Sequence, residues 1–138
     1  MKRLLFLMIW TLFLFSCTND EKPSNNFIDG TKWRCINSGS VYDDNGGLMY
    51  SYQEIFLLNF TNNTFTLTVN NKYDRNGDGI FDEEDSYTVK GTYKFEYPVT
   101  ALLSDDGKFT EKITIGTNQI TTVPDDKGKS LVFTKIRE

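Results

Sequence analysis

A period of two, sustained over most of the chain, constrains the fold more than any other feature. From Ser86 to Tyr97, residues Tyr87, Val89, Gly91, Tyr93, Phe95 and Tyr97 fall on one side, and Ser86, Thr88, Lys90, Thr92, Lys94 and Glu96 on the other. Successive side chains of a strand point to opposite faces, so this pattern predicts a long strand with one buried face. Gly91 within it marks a bend or bulge. Phe65, Leu67 and Val69 alternate with Thr64, Thr66, Thr68 and Asn70 in the same way, and Tyr52, Phe56, Leu58 and Phe60 line one side of the preceding strand. Asn62-Asn63 between these two runs predicts a tight hairpin turn. Further strands are expected near residues 31–42, 99–103, 108–115, 118–123 and 130–136. Asp43-Asp44-Asn45-Gly46-Gly47, Asp105-Asp106-Gly107 and Asp125-Asp126-Lys127-Gly128 supply turn chemistry. No segment carries a helical stripe flanked by caps.

About eight one-sided strands must cover their apolar faces, either by closing on themselves or by packing as two sheets. The expected fold class is therefore all-β, a small antiparallel up-and-down β-barrel of about eight strands, with a β-sandwich as the alternative. A closed sheet of that size is filled by its own side chains or holds one small ligand. The inward residues Phe56, Phe60, Phe65, Tyr93, Phe95, Phe109 and Phe133 are large, which argues for a small cavity or none.

The start of the chain follows different rules. Lys2 and Arg3 precede an apolar run from Leu4 to Phe15, which ends in Leu14-Phe15-Ser16-Cys17. The basic start and the run, too short to span a bilayer as a helix, read as a removable secretion signal. The Leu-Phe-Ser-Cys ending resembles the lipobox of bacterial lipoproteins. That resemblance implies cleavage ahead of Cys17, lipid on Cys17, and attachment to the membrane through that anchor. Residues 1–16 are then the signal peptide, 17–27 the lipidated cysteine and a flexible tether, and 28–138 the barrel domain. Asp20-Glu21 behind the cysteine resembles the export signals of surface-displayed lipoproteins. The expected location is the outer membrane, with the cell surface placed ahead of the periplasmic face.

Composition excludes several functions. The chain of 138 residues has a formal charge of −4, and removal of Lys2 and Arg3 leaves 13 basic against 19 acidic residues. Such a balance argues against nucleic acid as a partner, because phosphate binding needs concentrated Lys and Arg. There is no histidine. That removes Ser-His and Cys-His catalysis and the commonest zinc ligand. The carboxylates concentrate in turns, with no separated pair marking acid–base work, so no catalytic residues are assigned and the chain is expected not to be an enzyme. With Cys17 lipidated, Cys35 has no disulfide partner; in Trp33-Arg34-Cys35 it shares a face with Trp33 and packs as a small hydrophobe.

One segment carries metal chemistry. Asp74-Arg75-Asn76-Gly77-Asp78-Gly79-Ile80-Phe81-Asp82-Glu83-Glu84-Asp85 has the spacing of a twelve-residue calcium loop. Oxygen donors would come from Asp74, Asn76, Asp78, the backbone carbonyl of Ile80, Asp82 and Asp85, with Gly79 at the sharp turn. The opening Asp-x-Asn-Gly-Asp-Gly resembles the loops of EF-hand and dockerin modules. Asp85 stands where those loops have glutamate, and the flanks read as strands, so the expectation is a structural, weakly held Ca2+ on a hairpin. Tyr50, Tyr52, Tyr73, Tyr87, Tyr93 and Tyr97 are candidates for a carbohydrate or small-molecule surface and, equally, for strand packing.

Gly30-Thr31-Lys32-Trp33, Gly91-Thr92-Tyr93-Lys94-Phe95 and Leu131-Val132-Phe133-Thr134-Lys135 resemble bacterial lipocalin-like lipoproteins over nearly all of residues 27–138. Here two residues separate the glycine from the tryptophan, where the general lipocalin signature has one. The resemblance implies that Trp33 closes one end of the barrel. It also implies a lipid-tethered, non-catalytic module that binds a small apolar ligand. The alternative is an envelope interaction, structural or inhibitor lipoprotein whose barrel interior is plugged.

Overall fold

A computed structural model describes residues 27–108 and 110–137. The expected signal peptide, Cys17 and the expected tether before Phe27 lie outside the described residues, as do Phe109 and Glu138. Eight strands close in sequence order into one antiparallel up-and-down barrel. They are β1 Lys32–Tyr42, β2 Leu48–Thr61, β3 Thr64–Asp74, β4 Glu83–Glu96, β5 Val99–Ser104, β6 Thr110–Ile115, β7 Gln119–Thr122 and β8 Val132–Lys135. Closure runs through Trp33 opposite Lys135 and Arg34 opposite Thr134. The sandwich is excluded.

Strand lengths divide the barrel into two halves. The first four strands have 11, 14, 11 and 14 residues, whereas β5 to β8 have 6, 6, 4 and 4. The β1–β4 sheet is therefore a tall wall that rises past a shorter one. Asn62 and Asn63 turn β2 into β3 with φ of 49° and 63°, the paired left-handed geometry that matches hairpin twist and that asparagine tolerates. The turns at residues 62–63, 97–98 and 116–118 sit at one end of the barrel, together with the entry of the chain at Ile28. The acidic turns at 43–47, 75–82, 105–108 and 123–131 sit at the other.

The first end is closed. Ile28, Trp33, Phe60, Phe65, Ile115 and Ile120 are each at most 1 % exposed there. Phe60 meets Tyr93 edge-on at 5.1 Å. Trp33 donates from Nε1 to Thr31 Oγ1 at 2.8 Å, and the Thr31 hydroxyl donates to the Ile28 carbonyl. Asp29 Oδ1 accepts the Asn62 amide at 2.6 Å, tying this plug to the β2–β3 turn. Trp33 is thus a buried packing residue at one end, the place that the lipocalin-like resemblance implied for it.

Gly91 differs from expectation. The β3–β4 and β4–β5 ladders pass through it without a register shift, opposite Phe65 on one side and Ser104 on the other. The barrel's one bulge lies instead at Val41/Tyr42, among the described residues. Glycine is required at 91 by close approach: a Cβ there would stand 2.0 Å from the Leu103 carbonyl oxygen.

Candidate functional site

The inward register of nearly every strand changes from apolar to polar on passing from the closed end to the open end. Trp33 and Cys35 give way to Asn37 in β1, and Phe60, Leu58 and Phe56 to Glu54 in β2. Phe65, Leu67 and Val69 give way to Asn71 in β3, Ile115 and Ile113 to Glu111 in β6, and Ile120 to Thr122 in β7. The bulky residues therefore fill the closed half. Above them lies a cavity of about 680 Å³. Its apolar part is formed by Phe56, Leu58, Leu67, Val69, Leu102, Ile113, Leu131 and Phe133. The size falls in the ordinary range for small-molecule sites, roughly 300–1,000 Å³. The expectation of a small cavity or none is corrected: Phe60, Phe65 and Tyr93 are buried in the core below the cavity and leave the space above them open. Phe56 and Phe133, edge to face at 6.2 Å, line it.

Polar groups gather at the mouth. Asn37, Tyr52, Glu54, Tyr87, Glu111, Asp125, Lys127 and Lys129 all border the cavity. Lys129 Nζ donates to Asn37 Oδ1 at 2.6 Å, and Asn37 Nδ2 donates to Glu54 Oε2 at 2.6 Å. This chain joins the β7–β8 loop to the tall wall. Asp125 Oδ1 accepts the amides of Lys129 and Lys127 at 2.8 and 2.9 Å. The Lys129 amide first, with the Lys127 amide and both ammonium groups, holds its carboxyl below the usual aspartate range. Asp106 is held low in the β5–β6 turn by the Ser104 hydroxyl and then the Lys108 amide. Glu111 is half-buried and has no hydrogen bond or ion pair among the described residues.

The six tyrosines separate by height. Tyr52 and Tyr87 border the cavity. The Tyr52 ring lies so close over Gly39 that a Cβ there would be 2.7 Å from its hydroxyl oxygen. Tyr50 and Tyr73 pair edge to face at 6.1 Å higher on the wall, with the Arg75 guanidinium 5.9 and 5.7 Å from their ring centres. Tyr93 is buried at the closed end and its hydroxyl is pushed up by desolvation, while Tyr97 is exposed beside Phe95. Cys35 is buried on the inner face, and desolvation raises its thiol above the ordinary value of 9.0. That is the inert packing cysteine expected.

The candidate calcium loop caps the tall wall as the β3–β4 hairpin. Asp74 is 3 % exposed. Its Oδ1 accepts the Gly77 amide at 2.7 Å and its Oδ2 the Gly79 amide at 2.9 Å, so the loop coils around this carboxylate. Asn76 Nδ2 donates to Asp82 Oδ2 at 2.8 Å, which puts the third and ninth loop positions side by side. Asp78 Oδ1 accepts the Ile80 amide at 2.8 Å. Asp85 lies in β4 opposite Asn71, away from the coil. Arg75 pairs with Glu83, which holds the Glu83 carboxyl low. Among the described residues, no three carboxylate, cysteine or histidine groups stand together as a metal cluster. The coil and the oxygen donors Asp74, Asn76, Asp78 and Asp82 suit a hard cation, whereas Asp85 stands apart from them.

The sequence reading did not assign Asn37, Glu54 and Glu111 to a site. Their signal was a polar residue at an inward position of an otherwise apolar register. No family model, curated protein or solved structure matches this chain.

Proposed function

We propose that this chain is a non-catalytic binding protein, held to the outer membrane by lipid on Cys17, whose barrel takes a small apolar ligand through its open end. The observation that carries the reading is the apolar cavity of about 680 Å³ with a polar mouth. A plugged interior, which the interaction or inhibitor alternative calls for, fits that cavity poorly. Ile28 enters at the closed end, so a tether ahead of it would join the barrel at the end opposite the mouth. With no histidine in the chain, Ser-His and Cys-His nucleophile pairs are unavailable, which supports binding rather than that kind of turnover.

The test is saturable binding of the uncharged fluorescent probe N-phenylnaphthylamine to the barrel domain. One-to-one enhancement is expected, with loss of binding in Leu67→Trp, which fills the cavity from β3. A rise in melting temperature with the probe gives a second readout in the native sequence. No enhancement and no rise would overturn the reading.

Calcium on the β3–β4 hairpin is part of the same proposal, with a structural role. Asp78 and Asp82 are the residues to change, because each is exposed and neither carries the coil. Millimolar calcium is expected to raise the melting temperature, and the double change Asp78→Ala, Asp82→Ala to abolish the rise. Extracellular modules bind with Kd of about 10⁻⁴–10⁻³ M, which sets the concentration needed. An unchanged melting curve would remove calcium from the account.

A further inference from the structure

The cavity contains an asymmetry that bears on the class of ligand. Its half-buried charged residues are both acidic, Glu54 on β2 and Glu111 on β6, whereas Lys127 and Lys129 are exposed on the β7–β8 loop. Glu54 is served by the Asn37 amide and, behind it, by Lys129. Glu111 has no partner among the described residues. A strand holds Glu111 on the inward register directly above Ile113, opposite Leu102 of β5, so it belongs to the wall of an otherwise apolar space. Leaving a half-buried carboxylate without a donor is unfavourable, and a ligand that brings a cation removes that cost. Tyr52 and Tyr87 add aromatic rings to the same mouth, and aromatic faces attract cations within about 6 Å of the ring centre. An anionic head would face two carboxylates on the wall, with the lysines out on the exposed loop.

We infer that the ligand of this cavity is a cationic amphiphile: an apolar body seated among Phe56, Leu67, Val69, Ile113 and Phe133, with an ammonium head at Glu111. The inference rests on the cavity-binding reading above and names the chemistry of its ligand. The ammonium head pairs with the β6 carboxylate at the wall, and the apolar body lies below it. Glu54, already bonded, sets the polarity of the mouth rather than pairing with the head.

Three ligands of equal chain length separate the possibilities: decylamine, decanol and decanoate, titrated calorimetrically at low salt into the unmodified barrel domain and into Glu111→Gln. Decylamine is expected to bind about tenfold more tightly than decanol, decanoate more weakly than either, and the preference for the amine to shrink as salt is added. In Glu111→Gln the amine's advantage over decanol disappears while decanol binds as before. Equal affinities across the series, a preference for decanoate, or an amine preference that survives Glu111→Gln would overturn the inference and leave the apolar pocket standing. Binding of none of the three would overturn both. The comparison among ligands on the unmodified protein decides the matter even if Glu111→Gln fails to fold.

Discussion

Replacing Gly91 by alanine tests the packing that gives the barrel its shape. The added Cβ would lie 2.0 Å from the Leu103 carbonyl oxygen and 2.7 Å from Ser104 Cα, both backbone atoms of β5. Ordinary contact begins near 3.4 Å, so β4 and β5 must separate by more than an ångström. The ladder at that point pairs Gly91 with Ser104 and Thr92 with Leu103, and the Asp105 amide donates to the Lys90 carbonyl at 2.9 Å. Two such hydrogen bonds, at about 1 kcal/mol each, are disturbed. Overpacking adds about 1–3 kcal/mol, and the stiffer unfolded chain offsets about 0.4–1 kcal/mol. The expected loss is about 2–4 kcal/mol, or a fall in Tm on the order of 10–20 °C for a domain of this size. Thermal unfolding followed by circular dichroism measures it. Gly116→Ala is the matched control, because its Cβ would stand 3.4 Å from the Gln119 carbonyl oxygen and its φ is not left-handed; a change within about 0.5 kcal/mol is expected there. If Gly91→Ala melted with the parent, the close crossing of β4 and β5 would be refuted.

Other expectations concern single groups. Asp74→Asn should destabilise the domain by about 1–3 kcal/mol even without calcium, since one of the Gly77 and Gly79 amides loses its acceptor; chemical denaturation in chelator checks this. Cys35 should resist thiol reagents in the folded protein and react fully on unfolding. Burial raises its folded pKa above 9.0, so its contribution to stability is complete below the unfolded value and is lost as pH rises through the folded one. Cys35→Ala should therefore flatten the decline in stability above about pH 9, measured by denaturant titration across alkaline pH. Trp33→Ala should cost about 3–5 kcal/mol, because it opens the plug at the closed end.

The barrel was legible in the alternation itself. Period two from Ser86 to Tyr97 became β4, and the five shorter runs became strands within a few residues of their expected ends. Asn62-Asn63 announced its turn by composition. What alternation could not convey was height along the barrel axis. Phe60 and Phe65 stand opposite one another, and Tyr93 meets Phe60, only because β2, β3 and β4 pair in the register observed, and a list of bulky inward residues does not contain that register. The cavity above them was missed for this reason. Gly91 was noticed as an exception, but its cause is a neighbour twelve residues away in β5, Leu103, which no local pattern encodes. The mouth was partly visible in hindsight: Asn37, Glu54 and Glu111 interrupt apolar registers, and topology alone brings these interruptions to the same end. The calcium spacing was read from six positions, and the structure coils the loop around Asp74 while leaving Asp85 in the flat of a strand.

Two-dimensional ¹H–¹⁵N NMR of the barrel domain during titration with decylamine tests the hollow barrel most directly. Shifts should concentrate on the amides of Glu54, Phe56, Leu67, Val69, Glu111 and Leu131, with Trp33, Phe60 and Ile115 at the closed end unmoved. Perturbations confined to Ile36, Ile55 and Leu57 on the outer face, or none at saturating ligand, would contradict a binding site inside the barrel.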